Sequence, residues 1–416
     1  MANPLKSSRI YLPIGVLAAL LGGIILLFSG QAISTVTASG NSPYSQWSNG
    51  PSTNANFFPI GVWLQSPDHA QEFKNIGVNM FIGFYGDLDQ TSLSQLASAQ
   101  MPLVPTQNSV GLTSPQRTWI QGWEQMDEPD NAQPNGSGGY GPCISPSTLL
   151  ADYNAIRAND MNRPVLLNFG QGVSQVDYIG RGSCTGDTAY YSQAMQGGDI
   201  ISFDIYPVSD YNGQLELVPN GIDNLKIWSN NTKIIWNFIE ASAINGGAVP
   251  TADQERAEVW MSLIHGSRGI MYFVHQFSPT FREDGIFNYP ALVQAVTNIN
   301  AQVAALAPVL NSPTIPNDVQ VASSPTSVPV DLMEKNYGGS VYVFAVAMRN
   351  NPTQAIFTVP GAQTGSVSVI GENRQITITG GQFQDSFGGY AVHLYQFADG
   401  SGSAPAPPTG LTASVQ

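Results

Sequence analysis

Two glutamates stand where a carboxylate can do chemistry: Glu128 in Trp123-Glu-Gln-Met-Asp-Glu-Pro-Asp130 and Glu240 in Lys233-Ile-Ile-Trp-Asn-Phe-Ile-Glu-Ala-Ser242. Each ends a short apolar run and begins a polar loop. At the carboxyl end of a buried parallel strand, such a group opens onto the face where barrel enzymes carry their chemistry. A pair of carboxyl groups there suits hydrolysis of a glycosidic bond, one protonating the leaving oxygen while the other attacks the anomeric carbon or activates water. Other chemistries lack their residues. The histidines His69, His265, His275 and His393 show no paired-ligand spacing, so no metal is expected, and a metal-assisted reading through Asp127, Asp204 and His275 suffers from the same poor spacing. Gly136-Ser-Gly-Gly-Tyr-Gly141 fits a phosphate-cradling pattern, but Pro134 and Asn135 precede it and Pro142 follows, so it reads as a surface loop. No G-x-S-x-G serine elbow is present. No cofactor is expected.

The elements that must position the pair are legible as eight apolar runs of strand length: Pro59–Leu64, Val78–Phe84, Met101–Pro105, Trp119–Trp123, Pro164–Asn168, Ile200–Tyr206, Lys233–Phe238 and Gly269–Val274. Helical patterns lie between several of them, most clearly Ser145–Asp160, Thr251–His265 and Tyr289–Leu306, the first two opening on good caps. Apolar strands that alternate with helices indicate a parallel sheet covered on its outside, and eight repeats predict an α/β fold of the (β/α)8 TIM barrel type over residues 57–308. The rival is an open doubly wound sheet, but Gly61-Val-Trp-Leu64 is not the glycine turn that such a sheet shows after its first strand. From Val319 to Phe397 the pattern becomes alternating, as in Ser340–Met348 and Gln354–Val359, with Gly, Asn and Pro turns, which predicts a small antiparallel β-sandwich over 309–398. Residues 33–56 read as a Ser/Thr/Asn/Gly-rich tether, with order beginning near Phe57, and 399–416 as a linker-like tail.

The compartment follows from the first 32 residues. Lys6 and Arg9 precede an uncharged apolar run, Ile10 to Phe28, which reads either as a signal peptide or as an uncleaved membrane anchor. Both export the rest of the chain, so the expected location is extracellular or on the outer side of the cell membrane, with membrane contact only through this segment. Only 11% of the 416 residues are charged, and the balance of 15 basic to 29 acidic gives −14. With no basic stripe to neutralise phosphates, a nucleic-acid partner is excluded. Cys143 and Cys184 are the only cysteines. Export allows them to pair as a disulfide across the loops after strands four and five; two unpaired thiols is the alternative.

Both glutamates follow Trp-containing strands, the fourth and the seventh, which lie across the lumen of a barrel from one another. This arrangement resembles clan A glycoside hydrolases, whose barrels carry an acid/base glutamate after strand four, commonly in Asn-Glu-Pro, and a nucleophilic glutamate after strand seven. Asp127-Glu128-Pro129 matches with one change and Glu240 matches by position. Ser202-Phe-Asp-Ile-Tyr-Pro207 resembles the end of strand six in several of these families, where a tyrosine bonds the nucleophile; that role maps onto Tyr206. The resemblance spans roughly residues 57 to 398 and implies a retaining glycosidase acting on a β-linked poly- or oligosaccharide, with Glu240 as nucleophile and Glu128 as acid/base. Asp127 replaces the asparagine that typically binds the sugar 2-hydroxyl, and strand eight offers Phe273 and His275 rather than a tryptophan platform. Trp63, Trp236, Tyr85 and Tyr206 are further candidates for sugar contacts. The alternative is a non-catalytic carbohydrate-binding barrel on the cell surface.

Overall fold

The computed structural model describes residues 42–175, 182, 184–315 and 318–398. The apolar segment 10–28, residues 33–41 of the expected tether and the tail 399–416 lie outside the described residues, and among the described residues no helix is long and apolar enough to cross a membrane.

Seven of the eight apolar runs, together with a polar segment just beyond the fourth, build a ring of parallel strands: β1 (Ile60–Trp63), β2 (Met80–Ile82), β3 (Leu103–Val104), β4 (Trp123–Asp127), β5 (Val165–Phe169), β6 (Ile200–Phe203), an interrupted seventh strand made of β7 (Ile234–Ile235) and β8 (Asn237–Glu240), and β9 (Ile270–Phe273) as the eighth. Strand order runs β3-β2-β1-β9-β8 in one half and β4-β5-β6-β7 in the other. The interruption at Trp236 lets the seventh strand serve both halves, pairing with β6 first and then with β9. Parallel bridges from Leu103 to Ile120 and from Thr106 to Glu124 close the other seam. The result is the closed barrel of the (β/α)8 class.

Side chains alternate between two cores. Trp63, Met80, Ile82, Val104, Leu166, Trp236, Phe238 and Met271 fill the lumen, while Ile60, Phe81, Leu167, Ile201, Ile239 and Tyr272 face the helices outside. Burial on both faces is why these strands read as continuous apolar runs. The expected helices form as Pro146–Asn159, Ala252–His265 and Pro290–Ala305. Ser145 caps the first through the Thr148 N–H, and Thr251 with Gln254 makes a full capping box on the second.

Two expectations are corrected. The fourth strand is β4, Trp123–Asp127, four residues beyond the run Trp119–Trp123. Its polar residues Glu124 and Asp127 tolerate the strand because they face the polar upper lumen, with a bulge between Glu124 and Met126 resetting the alternation. Order also starts before Phe57. Tyr44 and Trp47 are buried against the lumen core, and the Tyr44 hydroxyl donates to the Arg268 carbonyl while accepting from Trp236 Nε1, both at 2.8 Å. Residues 42–56 therefore seal the amino-terminal end of the barrel, an apolar opening that water would otherwise reach.

Beyond the helix Ala307–Leu310, nine strands from Thr314–Ile315 to Val392–Ala398 form one continuous antiparallel sheet curled into a sandwich. Its inner face buries Val343, Phe357, Phe383, Tyr395 and neighbours. Its other face rests on the barrel helix Ala252–His265, with Trp260 and Phe344 ring centroids 5.1 Å apart.

Candidate active site

β4 delivers its last residues to the open end of the barrel. Glu128 follows the strand with φ +44°, a left-handed conformation that costs a non-glycine residue free energy and recurs at functional sites. Three contacts hold it there. Its N–H donates to the Asn168 carbonyl at 2.9 Å, its own carbonyl accepts from Gln133 Nε2 at 2.9 Å, and Oε2 accepts from Asn131 Nδ2 at 2.9 Å. The side chain lies over the end of β5, where a Cβ on Gly170 would come within 2.8 Å of Oε1. Glycine there makes room for the carboxylate.

Around Glu128 the ends of β4, β5 and β6 gather polar groups. Asn168 Nδ2 donates to both Asp127 Oδ1 and Asp204 Oδ1 at 3.0 Å, and its Oδ1 accepts from Ser202 Oγ at 2.8 Å. Asp204 is buried and also takes a hydrogen bond from Tyr206. Burial first, then the charges of Glu128 and Asp127, push its carboxyl well above the ordinary range, against the pull of its two donors. Tyr206 is raised by burial and by the charges of Asp204, Glu128 and Asp127. Glu124, one turn of the pleat deeper, is pushed up to about 8 by burial and by Asp127. Asp130 is pushed up to about 6 by burial, although Gly170 N–H and the Tyr191 hydroxyl donate to it at 2.9 and 2.7 Å.

Glu240 ends the seventh strand. Its register partner is Phe273, and the pair two residues earlier is Phe238 with Met271, so by strand alternation its Cβ shares their inner face. The carboxylate is fully buried; Oε1 accepts from the Val208 N–H at 2.5 Å and Oε2 from the Ser209 N–H at 3.0 Å. Burial pushes it up to about 8, the two N–H groups pull it down, and Asp210 adds to the rise. Behind it, Glu255 and Glu258 of the helix Ala252–His265 are raised well above normal by burial and by the Glu240 charge.

The structure thus brings Asp127, Glu128 and Tyr206 together and adds Asp204 and Asn168, which the motifs did not single out as a pair. The hydroxyl of Tyr206 bonds Asp204, whereas the resemblance assigned it to the nucleophile at the seventh strand. Trp236 is displaced from the sugar-contact role: it is fully buried at the sealed amino-terminal end, bonded to Tyr44. Trp63 is buried in the lumen, edge-on to Phe238. His275 is buried at the mouth with Nε2 3.0 Å from the Leu64 carbonyl, and Tyr85 is exposed on the rim beside it. Cys143 and Cys184 form a disulfide joining the loops after β4 and β5, both sulfurs 3.1 Å from the Asp130 carbonyl. One group with metal-ligand chemistry, His69, Glu72 and Asp284, lies among the described residues. Arg282 already engages both carboxylate oxygens of Asp284, and His69 is paired with Glu72 and Glu283, so these donors are committed to surface ion pairs.

No family model and no curated protein matches the sequence. Solved structures do. An Anoxybacillus α-amylase superposes with a TM-score of 0.50 at 9% identity, covering 86% of this chain and 100% of that one. The fold is the one these glycoside hydrolases share. The α-galactosidase I of Mortierella vinacea (TM-score 0.49, 11% identity, 84% and 99% covered) and a family 30 xylanase of Clostridium acetobutylicum (0.46, 13%, 82% and 96%) are also similar to it.

Proposed function

We propose that the chain is an O-glycosidase that cleaves a β-linked poly- or oligosaccharide outside the cytoplasm by double displacement. The observation that carries this reading is the set of carboxyl groups at the carboxyl ends of barrel strands, Glu128 with Asp127 and Asp204 on one side and Glu240 on the inner face of the seventh strand. Glu240 attacks the anomeric carbon in its ionised form, which the N–H groups of Val208 and Ser209 favour against the opposing effect of burial. Glu128 gives its proton to the departing oxygen as that bond breaks. Water then attacks the glycosyl-enzyme, Glu128 takes the water proton, and Glu240 leaves. The anomeric configuration is retained. Export is supported by the disulfide, which persists in oxidising compartments.

A specific observation favours a second assignment of the attacking group. Tyr206 and Asn168 both donate to Asp204, and the charge of Glu128 acts on it, so Asp204 has the partners expected of a nucleophile paired with Glu128. Assays of Glu128→Gln, Glu240→Gln and Asp204→Asn on activated aryl glycosides, with and without azide, separate the roles. Loss of the nucleophile lowers kcat by at least about 10³-fold, and azide restores turnover as a glycosyl azide of inverted configuration. Loss of the acid/base gives a retained azide product. A parent protein that releases no sugar from β-linked glucans, galactans, mannans and xylans, yet binds one of them, overturns the enzyme reading in favour of a carbohydrate-binding barrel.

A further inference from the structure

Three large aromatic rings are exposed at one edge of the barrel mouth: Tyr85 at 44%, Phe277 at 51% and Phe281 at 40%. Tyr85 belongs to the loop after β2, the two phenylalanines to the loop after β9. Other exposed large hydrophobics, such as Met161, Ile227 and Ile356, lie on separate elements, which needs no explanation; a contiguous group does. Tyr85 and Phe281 stack with centroids 5.7 Å apart and 20° between planes, and Phe277 lies 5.8 Å from Phe281.

The rings continue inward without a break. Phe281 contacts His275 at 5.5 Å, His275 contacts Phe273 at 5.2 Å, and Phe273 contacts Tyr206 at 5.0 Å. Tyr206 is the residue whose hydroxyl bonds Asp204. An aromatic track therefore leads from the acid cluster to the outside edge of the mouth.

The outer part of the track is fixed in advance. Gln276 and Arg282 exchange backbone hydrogen bonds at 3.0 and 2.8 Å, closing the loop that carries Phe277 and Phe281. The Phe277 N–H donates to the Ile244 carbonyl at 2.7 Å, tying that loop to the one after the seventh strand. The Tyr289 hydroxyl donates to Gln276 Oε1 at 2.9 Å. Rings held this way lose little conformational freedom on binding, which favours affinity.

We infer that this edge is an extended carbohydrate-binding surface on which Phe277, Phe281 and Tyr85 receive sugar rings of the same chain whose scissile bond lies at the acid cluster. The substrate class that follows is an oligo- or polysaccharide long enough to reach from Tyr206 to Phe277; the inference rests on the glycosidase reading and specifies its substrate. A pyranose offers an apolar face of C–H groups to an aromatic ring while its hydroxyls project sideways to polar neighbours, here the exposed side chains of Arg282 and the amide of Asn288. A net charge of −14 disfavours an anionic lipid surface as the occupant.

The test compares two substrates in the parent, Phe277→Ala, Phe281→Ala and the double variant. On a 4-nitrophenyl glycoside, which reaches only the acid cluster, kcat/KM stays within about twofold of the parent. On the polysaccharide that the parent cleaves, KM rises about 3- to 10-fold per ring removed with kcat little changed, the size expected for one lost aromatic contact. Phe281→Tyr, which keeps the ring, restores the parent KM. Retardation in native gels containing xylan, mannan, galactan or β-glucan gives a readout independent of turnover; the parent is held back by one of them and the double variant is released. Unchanged polymer KM and unchanged gel mobility in the double variant overturn the inference. Equal losses on the aryl glycoside and the polymer also overturn it, since they place the rings in the reaction or the fold. A parent inactive on every glycoside but retarded in a gel that releases the double variant overturns the enzyme reading and leaves the binding surface standing.

Discussion

Asn168 has one amide nitrogen and shares it between two carboxyl groups, Asp127 and Asp204, while Ser202 fixes the other end of the amide. Without that donor, the two acids lose the contact that links them at the mouth, and the hydrogen bond that partly offsets the burial of Asp204 is gone. Asn168→Ala is expected to lower kcat by about 10- to 100-fold, the effect of misplacing catalytic groups, and to move the ionisation of Asp204 further upward in the pH–rate profile. A variant with kcat within threefold of the parent and an unmoved profile removes Asn168 from this positioning role. Glu128 and Glu240 were legible in the sequence because a carboxylate after an apolar run is rare enough to stand out. Asn168 was not, because it closes a run that reads as strand core, and Asp204 was named only for a metal-assisted reading and within the strand-six motif, not as a partner of Glu128. The available signal was the spacing Ser202, Asp204, Tyr206, polar at every second position, which in a barrel strand means one lumen-facing row. The rings at Phe277 and Phe281 had no such signal: their value comes from Tyr85, nearly two hundred positions away in sequence and brought alongside only by closure of the barrel.

At the level of elements, apolar runs located the strands, and the one misplaced strand shows the limit of that signal. β4 carries Glu124, Gln125 and Asp127, so its polarity hides it, and the apolar stretch just before it, with Trp119 and Ile120, took its place. A functional strand end is polar because the site is there. The segment 42–56 was misread for a related reason: Ser, Asn and Gly dominate its composition, while the two residues that dock it, Tyr44 and Trp47, are few. The loops after β4 and β5 were joined correctly, since neighbouring barrel strands carry neighbouring loops. Their disulfide spans a sequence separation of 41. Opening a loop of that length through Cys143→Ser with Cys184→Ser is expected to lower stability by roughly 4 kcal/mol in the chain-entropy model. Denaturant midpoints of parent and double variant at matched m-values measure it. A loss under about 1 kcal/mol means that other contacts, such as Tyr191 and Gly170 on Asp130, already hold the two loops together in the absence of the bridge.

For the molecule as a whole, the change from helix-separated apolar runs to alternating segments disclosed two domains. The order of the nine strands in the second was not readable, because segments far apart in sequence pair, as Gln320–Ser324 does with Thr353–Thr358. Charge follows the same logic. The barrel buries carboxyl groups whose ionisation is held above the ordinary range: Glu124 and Glu240, pushed up to about 8, Asp130, pushed up to about 6, Asp204, raised by burial and by the charges of Glu128 and Asp127, and Glu255 and Glu258, raised by burial and by the charge of Glu240. In the unfolded chain each titrates near the ordinary carboxylate value. The folded state therefore binds more protons than the unfolded state from about pH 4.5 upward, and linkage makes stability fall as pH rises through the folded values. Two other groups act higher up. His265, whose burial is outweighed by Asp223 and Asp331, is raised to about 9, and its contribution is lost as pH rises toward that value. Lys335, pushed down to about 7 by burial, works in the opposite sense, adding stability as pH rises above 7. Between pH 5 and 7 the carboxyl groups outnumber the opposing His275, which burial holds below its ordinary value and which adds stability as pH rises toward 6.5, and the growing net negative charge adds self-repulsion. The melting temperature is expected to be highest near pH 5 and to decline steadily to pH 7 in buffers of constant ionic strength, with Glu258→Gln flattening the decline because its amide has no proton to lose. A melting temperature that rises over the same interval contradicts this account, since it requires carboxylates that are ionised and paired in the folded barrel.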